Sequence, residues 1–105
     1  MTMIELEEAV MEIIVNAGQS RSLCFEALRA ARAGNLDEAR QLLKEADGYS
    51  RQAHHMQTKL IEQDAGEARQ PMTLIMVHAQ DHLMTSLLAR ELSEEIIQLH
   101  TLYRQ

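Results

Sequence analysis

One cysteine, Cys24, leaves no partner for an internal disulfide, a usage that suits a reducing compartment such as the cytoplasm. Aromatic residues make up 3% of the chain and tryptophan is absent, so a core must come from Leu, Ile, Ala and seven Met. Such a core adapts more readily than one keyed by large rings. Proline occurs once and no glycine-rich phosphate loop or serine nucleophile elbow is present. Positive charge is the scarcer sign, with 10 Lys and Arg against 16 Asp and Glu and a net charge of -6. That balance argues against a nucleic-acid surface and against direct binding to anionic lipid. No apolar run reaches membrane-spanning length. The acidic start, Met1 to Glu8, lacks the basic segment and apolar stretch of a signal peptide.

What is present is hydrophobic and helical. At 46% hydrophobic the chain is too apolar for disorder, and residues 1–105 suit a single domain. A chain this short buries a limited share of its own surface, so association with other copies is expected to help. β-branched residues are few and never alternate, which gives no strand signal.

Three helices follow from the spacing of apolar residues. The first is predicted from about Thr2 to Ala33, with Thr2 and Glu5 at capping-box spacing. Its stripe is Leu6, Val10, Ile13, Ile14, Ala17, Cys24, Leu28 and Ala31. Cys24 therefore reads as a core residue. Gly18 interrupts this helix. It admits three explanations: close approach of a neighbouring helix, a kink, or room for a functional side chain. Arg21, near the stripe, suits an ion pair or a snorkelling cation.

Gly34-Asn35 then reads as a stop and a start, Gly34 past the helix end and Asn35 as the next N-cap. The second helix is predicted from Leu36 to Gln63, with Leu36, Ala39, Leu43, Ala46, Ala53 and Leu60 on one stripe. A second stripe, Leu42, Tyr49 and Met56, runs beside it. His54 and His55 diverge by about 100° on a helix and read as ordinary, partly exposed histidines. Asp64 to Pro71 is the one longer loop, with Pro71 expected in the first turn of the third helix. That helix should run without a break to Tyr103, with Leu74, Leu88, Leu92, Ile96 and Leu99 as its apolar stripe. The short first turn makes the bundle antiparallel. Between Leu74 and Leu88 the third helix is apolar nearly all round, so a second contact surface on other copies is expected.

Within that apolar run stand His78, Asp81 and His82, at i, i+3 and i+4 on one helical face. Three readings compete. A neutral imidazole could attack phosphorus and carry a phosphoryl group, with Asp81 near enough to orient it. The three side chains could bind a transition metal, although i, i+4 histidines alone are a weak signal. They could also be polar interface residues satisfied by one another, as in a helical adaptor or assembly module without chemistry. The acid pairs Glu7-Glu8 and Glu94-Glu95 read as solvated faces.

His78-Ala79-Gln80-Asp81-His82-Leu83-Met84-Thr85 closely resembles the active-site helix of a known family. This is the enzyme IIA components of the lactose/cellobiose class of the bacterial phosphoenolpyruvate-dependent sugar phosphotransferase system. Asn16 to Ser22, Ala53 to Glu62 and Asp64 to Glu67 resemble other segments of the same family, and Thr58 to Glu62 lies nearer its cellobiose/chitobiose branch. The resemblance implies an all-α three-helix subunit in a homotrimer of nine helices. It implies that His78 accepts a phosphoryl group at Nε2 from the histidine phosphocarrier protein. The group would then pass to a cysteine of the IIB component, for uptake of a β-linked disaccharide through the membrane IIC component. It further implies that Asp81 and its two symmetry mates share a divalent cation, Mg2+ being expected. His82 and Gln80 would lie near the site, and Met76, Leu83 and Met84 are candidates for an apolar docking rim. The family pattern assigns no role to Cys24 or His55.

Overall fold

The computed structural model describes residues 2–66 and 69–103. They form three α-helices of 30 residues each: α1 Met3–Arg32, α2 Leu36–Ala65 and α3 Leu74–Tyr103. Thr2 caps α1, its hydroxyl accepting the Glu5 N–H at 3.1 Å. The end of α1 is closed by a Schellman arrangement, in which Asn35 N–H donates to Ala30 O at 2.8 Å and Gly34 N–H to Ala31 O at 3.0 Å. Gly34 takes φ 91°, where a side chain would be strained. Asn35 occupies the N-cap of α2 but makes no side-chain cap bond. Its carbonyl accepts from Ala39 N–H, and the Schellman turn already fixes its backbone.

Pro71 lies outside α3, contrary to the sequence expectation. Thr73 supplies the cap instead, its hydroxyl accepting from Met76 N–H at 3.3 Å and its carbonyl from Val77 N–H at 3.1 Å. A side-chain oxygen at that position starts the helix at Leu74, and Pro71 sits three residues upstream of that start. The α2 end of this connection is tied by Asp64, whose carboxylate accepts the Gln70 N–H at 2.8 Å.

The bundle is antiparallel and elongated, 56 × 20 × 19 Å. Ser20 of α1 meets Ser50 of α2, Gln57 of α2 meets Gln80 of α3, and Arg40 near the start of α2 meets Thr101 near the end of α3. So α2 runs against both neighbours, and α1 and α3 run in the same direction. Two apolar clusters fill the axis. One joins Leu6, Val10, Ile13 and Ala17 to Ala53, Leu60, Met76, Ala79 and Leu83; the other joins Leu23, Cys24, Ala27 and Ala31 to Ala39, Leu43, Ala46 and Ile97. Alanine at many of these places lets the helix axes come close.

Between the clusters lies a band of small polar residues. Ser20 and Ser50 share a 2.6 Å hydrogen bond, and the buried Cys24 thiol lies near Ser93 and Ser20. Ser86 is buried as well and donates to the Leu83 carbonyl. At the edge of the band Arg90 binds Asp47 and Glu94. Burial pushes the Cys24 thiol above its ordinary value, against a smaller opposing effect from Arg90.

The core face of α3 is not the stripe that apolarity picks out. Met76, Ala79, Leu83, Ser86, Ser93 and Ile97 point inward. Leu74, Val77, Leu88, Leu92, Ile96 and Leu99 remain exposed, Leu74 at 86% and most of the others near half. A helix apolar on two sides offers periodicity on both, and the smaller residues win the three-helix core because the axes are close. Among the described residues no helix is long and apolar enough to cross a membrane.

Candidate functional site

At about 100° per residue, Val77, Asp81, Leu88, Leu92 and Leu99 cluster on one line of α3, nearly opposite Ala79, Leu83 and Ile97. Asp81 is exposed in the middle of that outward apolar line. His78 and His82 flank it on the side of α1. His78 is exposed and His82 half-buried. Their rings stack, with centroids 5.7 Å apart and planes 11° from parallel. Thr85 fastens the same turn by donating to the carbonyls of Asp81 and His82.

His82 is the member that touches another helix. A Cβ added to Gly18 would lie 3.3 Å from His82 Nε2. Of the three explanations for Gly18, room for a side chain is the one observed; α1 runs through it unbroken. Gly18, Arg21, Ser22 and His82 are among the residues lining an open depression. Arg21 is exposed, with its guanidinium 5.8 Å from the Phe25 ring, a cation–π contact in place of the ion pair considered from sequence.

Gln80 departs from expectation. It lies two residues from His78, about 200° around the helix, and faces α2. There its Oε1 accepts from Gln57 Nε2 at 2.6 Å, and its own Nε2 meets Met76 Sδ at 3.8 Å. Within one chain it therefore braces α3 against α2 and does not reach His78. Gln57 was not singled out from sequence, although it lies inside the second-helix segment that carries the resemblance. The docking rim also needs correction. Met84 is 55% exposed, but Met76 and Leu83 are core residues at 4% and 0%.

The remaining candidates are dispersed. His54 and His55 are both exposed on α2, and Cys24 is fully buried. Among the described residues no three His, Cys, Asp or Glu side chains are grouped to hold a metal ion. A transition-metal site within one chain, the second reading of the motif, is thus not formed. No hydrogen bond joins His78 to Asp81 among the described residues, and the imidazole is held by its neighbouring ring rather than by a carboxylate.

An exposed imidazole on a rigid helix, backed by a second ring and one residue row from an outward carboxylate, is the arrangement on which comparison with known proteins bears. Residues 8–101 match the family described as "PTS system, Lactose/Cellobiose specific IIA subunit". The chain belongs to this family. It is 52% identical over 96 residues to the N,N'-diacetylchitobiose-specific EIIA component of Escherichia coli K12, covering 91% of this chain and 83% of that protein. Its structure is similar to that of PtcA from S. mutans, with a TM-score of 0.92 at 42% identity, covering 96% and 99% of the two chains. It is also similar to the Escherichia coli chitobiose IIA protein solved in complex with HPr, with a TM-score of 0.83 at 48% identity, covering 95% and 97%. As a IIA component the chain takes part in phosphotransferase-system phosphoryl transfer, on the cellobiose/chitobiose side of its family.

Proposed function

We propose that His78 is the phosphoryl carrier of this IIA protein. The observation that carries the reading is an exposed imidazole in the family's motif, stacked on a second ring and hydrogen-bonded to no carboxylate among the described residues. In its neutral form the Nε2 lone pair of His78 attacks the phosphorus held on the active histidine of HPr. The new N–P bond forms as the donor's N–P bond breaks, and the donor imidazole leaves with the electron pair. In the second transfer a cysteine thiolate of the IIB component attacks the same phosphorus. The His78 N–P bond breaks, and the group moves on to a β-linked disaccharide such as a chitobiose or cellobiose entering through the IIC component. A similar chain solved with HPr supports the choice of donor.

The assembly proposed is a homotrimer packed through the outward stripe of α3. Val77, Leu88, Leu92 and Leu99 are between 47% and 54% exposed in the single chain, a continuous apolar line that a soluble monomer rarely leaves uncovered. Threefold packing along this line brings three Asp81 carboxylates together in an apolar surround. An oxygen donor set of that kind fits a hard divalent cation, Mg2+ first. When bound, the cation neutralises mutual repulsion of the carboxylates; it has no part in the transfer itself. The protein works in the cytoplasm, beside the membrane component and not within the bilayer.

Incubating the pure protein with phosphoenolpyruvate, the general phosphotransferase enzyme and HPr, then recording intact mass, tests the carrier reading. One acid-labile phosphoryl group mapping to His78, and lost in His78→Ala, is the expected result. No added mass, while the same HPr phosphorylates a known acceptor alongside, would turn the reading to a helical assembly module without chemistry.

A further inference from the structure

Gly18 has no conformational reason to be glycine. It lies inside α1, the least favourable place for that residue, and among the described residues only Gly34 has a positive φ. Nor does a neighbouring backbone crowd it. The one contact within 4 Å that its missing Cβ would make is His82 Nε2, at 3.3 Å. Gly48 gives the contrast, since a Cβ there would meet nothing within 4 Å. The vacancy at position 18 is thus fitted to a single side chain of α3.

That side chain stacks on His78 at 5.7 Å, with planes 11° apart. An exposed imidazole on a helix would otherwise turn about χ1 and χ2 among several rotamers. A parallel ring alongside removes part of that freedom, and the ring alongside is seated by Gly18. We infer that Gly18 and His82 are positioning residues for phosphoryl transfer: Gly18 seats the His82 ring, and that ring fixes the plane in which His78 presents its nucleophilic nitrogen. The inference rests on His78 being the carrier.

The physical consequence concerns the rate at which His78 accepts the group, not the binding of the donor. Small misplacements of a reacting atom cost far more in rate than in affinity. Gly18→Ala must displace His82 by a few tenths of an ångström or drive it to another rotamer. The saturating rate of transfer from phosphorylated HPr is expected to fall on the order of tenfold, with the donor concentration at half-saturation unchanged. His82→Ala should lose a similar factor, and His82→Phe, which keeps a flat ring without nitrogens, should regain most of it. In the His82→Ala background Gly18→Ala should cost nothing further, because the two changes act through one contact.

Rapid-quench transfer assays on these four variants, with NMR contacts between the two imidazoles in the unphosphorylated protein, decide the matter. A wild-type rate in Gly18→Ala overturns the inference, as does an equal loss in both backgrounds. A His82→Phe rate no better than that of His82→Ala also overturns it, since His82 would then act through its nitrogens. Ring-to-ring contacts that persist unchanged in Gly18→Ala count against it in the same way. Failure of the wild-type chain to be phosphorylated at His78 overturns the carrier reading itself. Normal wild-type transfer with an indifferent Gly18→Ala overturns this inference alone.

Discussion

Arg90 on α3 holds Asp47 on α2 with two prongs, Nε to Oδ1 at 2.6 Å and Nη2 to Oδ2 at 3.1 Å. The Arg90 guanidinium is raised above its ordinary value, chiefly by the hydrogen bonds to Asp47. It also reaches Glu94 at 3.3 Å. A planar fork on a carboxylate fixes both the distance and the rotation of the two helices, which a lysine could not do.

Asp47→Asn should therefore destabilise the subunit by about 1–2 kcal/mol, read as a lower urea midpoint. The figure stays below the roughly 3–5 kcal/mol of a broken buried pair because the two side chains are 22% and 34% exposed, so water screens what is left. The sign for pH follows from the raised Arg90. Its contribution is complete below the ordinary arginine range and is lost only above it, so the pair gives no arginine-linked pH dependence in neutral solution.

Leu92→Glu should separate the copies without unfolding the chain. Leu92 is 53% exposed and faces away from the core, so helix content by circular dichroism should hold while sedimentation shows smaller species. A variant that stays assembled would place the interface elsewhere.

Asp81→Leu is expected to keep the assembly intact and to raise its resistance to heat. In the proposed trimer the change replaces repulsion among three carboxylates, or dependence on a cation, by apolar contact with the same neighbours. Chelation should lower the melting temperature of the wild type and leave that of Asp81→Leu unmoved. Dissociation of the variant into monomers would count against the shared cation.

Cys24 carries an alkaline limit. Its folded value is raised by burial above the ordinary one of about 9, so its share of stability is complete below about pH 9 and declines as pH climbs toward and through the folded value. Unfolding midpoints measured from pH 8 to 10.5 should fall more steeply for the wild type than for Cys24→Ala. The native thiol should also react slowly with an aromatic disulfide reagent, at a rate set by opening of the bundle.

Much of the fold is legible in the sequence. Leu6, Val10, Ile13 and Ala17 on α1, and Ala39, Leu43, Ala46 and Ala53 on α2, repeat with one period on one face, and they are buried as that period requires. Gly34 ended α1 where its backbone freedom was needed. The inward face of α3 was harder, because Leu88, Leu92 and Leu99 outweigh Ala79, Ser86 and Ser93 on any scale of apolarity. The choice between them depends on how closely the axes pack, which is a property of three helices together. The buried serines carry their own faint signal: Ser86 and Ser93 lie seven residues apart, in step with Ala79. The Arg90–Asp47 pair has none, since 43 residues of chain separate partners that only the topology joins. Within the site the helical spacing placed His78, Asp81 and His82 on neighbouring rows. The seat that Gly18 provides for His82, and the turn of Gln80 toward Gln57, came from the packing of other helices against α3.

His78 lies four residues into α3, about 6 Å from its start, and about 38 Å of the same helix extends beyond it. The proposed carrier residue lies level with the middle of α1, because the next turn of α3 meets Gly18, and the Schellman turn at Gly34 is at the far end of the 56 Å rod. The two regions can be handled separately. A surface linker, a fluorophore or a fused reporter attached beside the Gly34 turn would stand roughly 30 Å along the rod from a protein seated at His78. Immobilised in that manner, the rod would keep the half that carries His78 clear of the support, and donor and acceptor could be passed over it in turn.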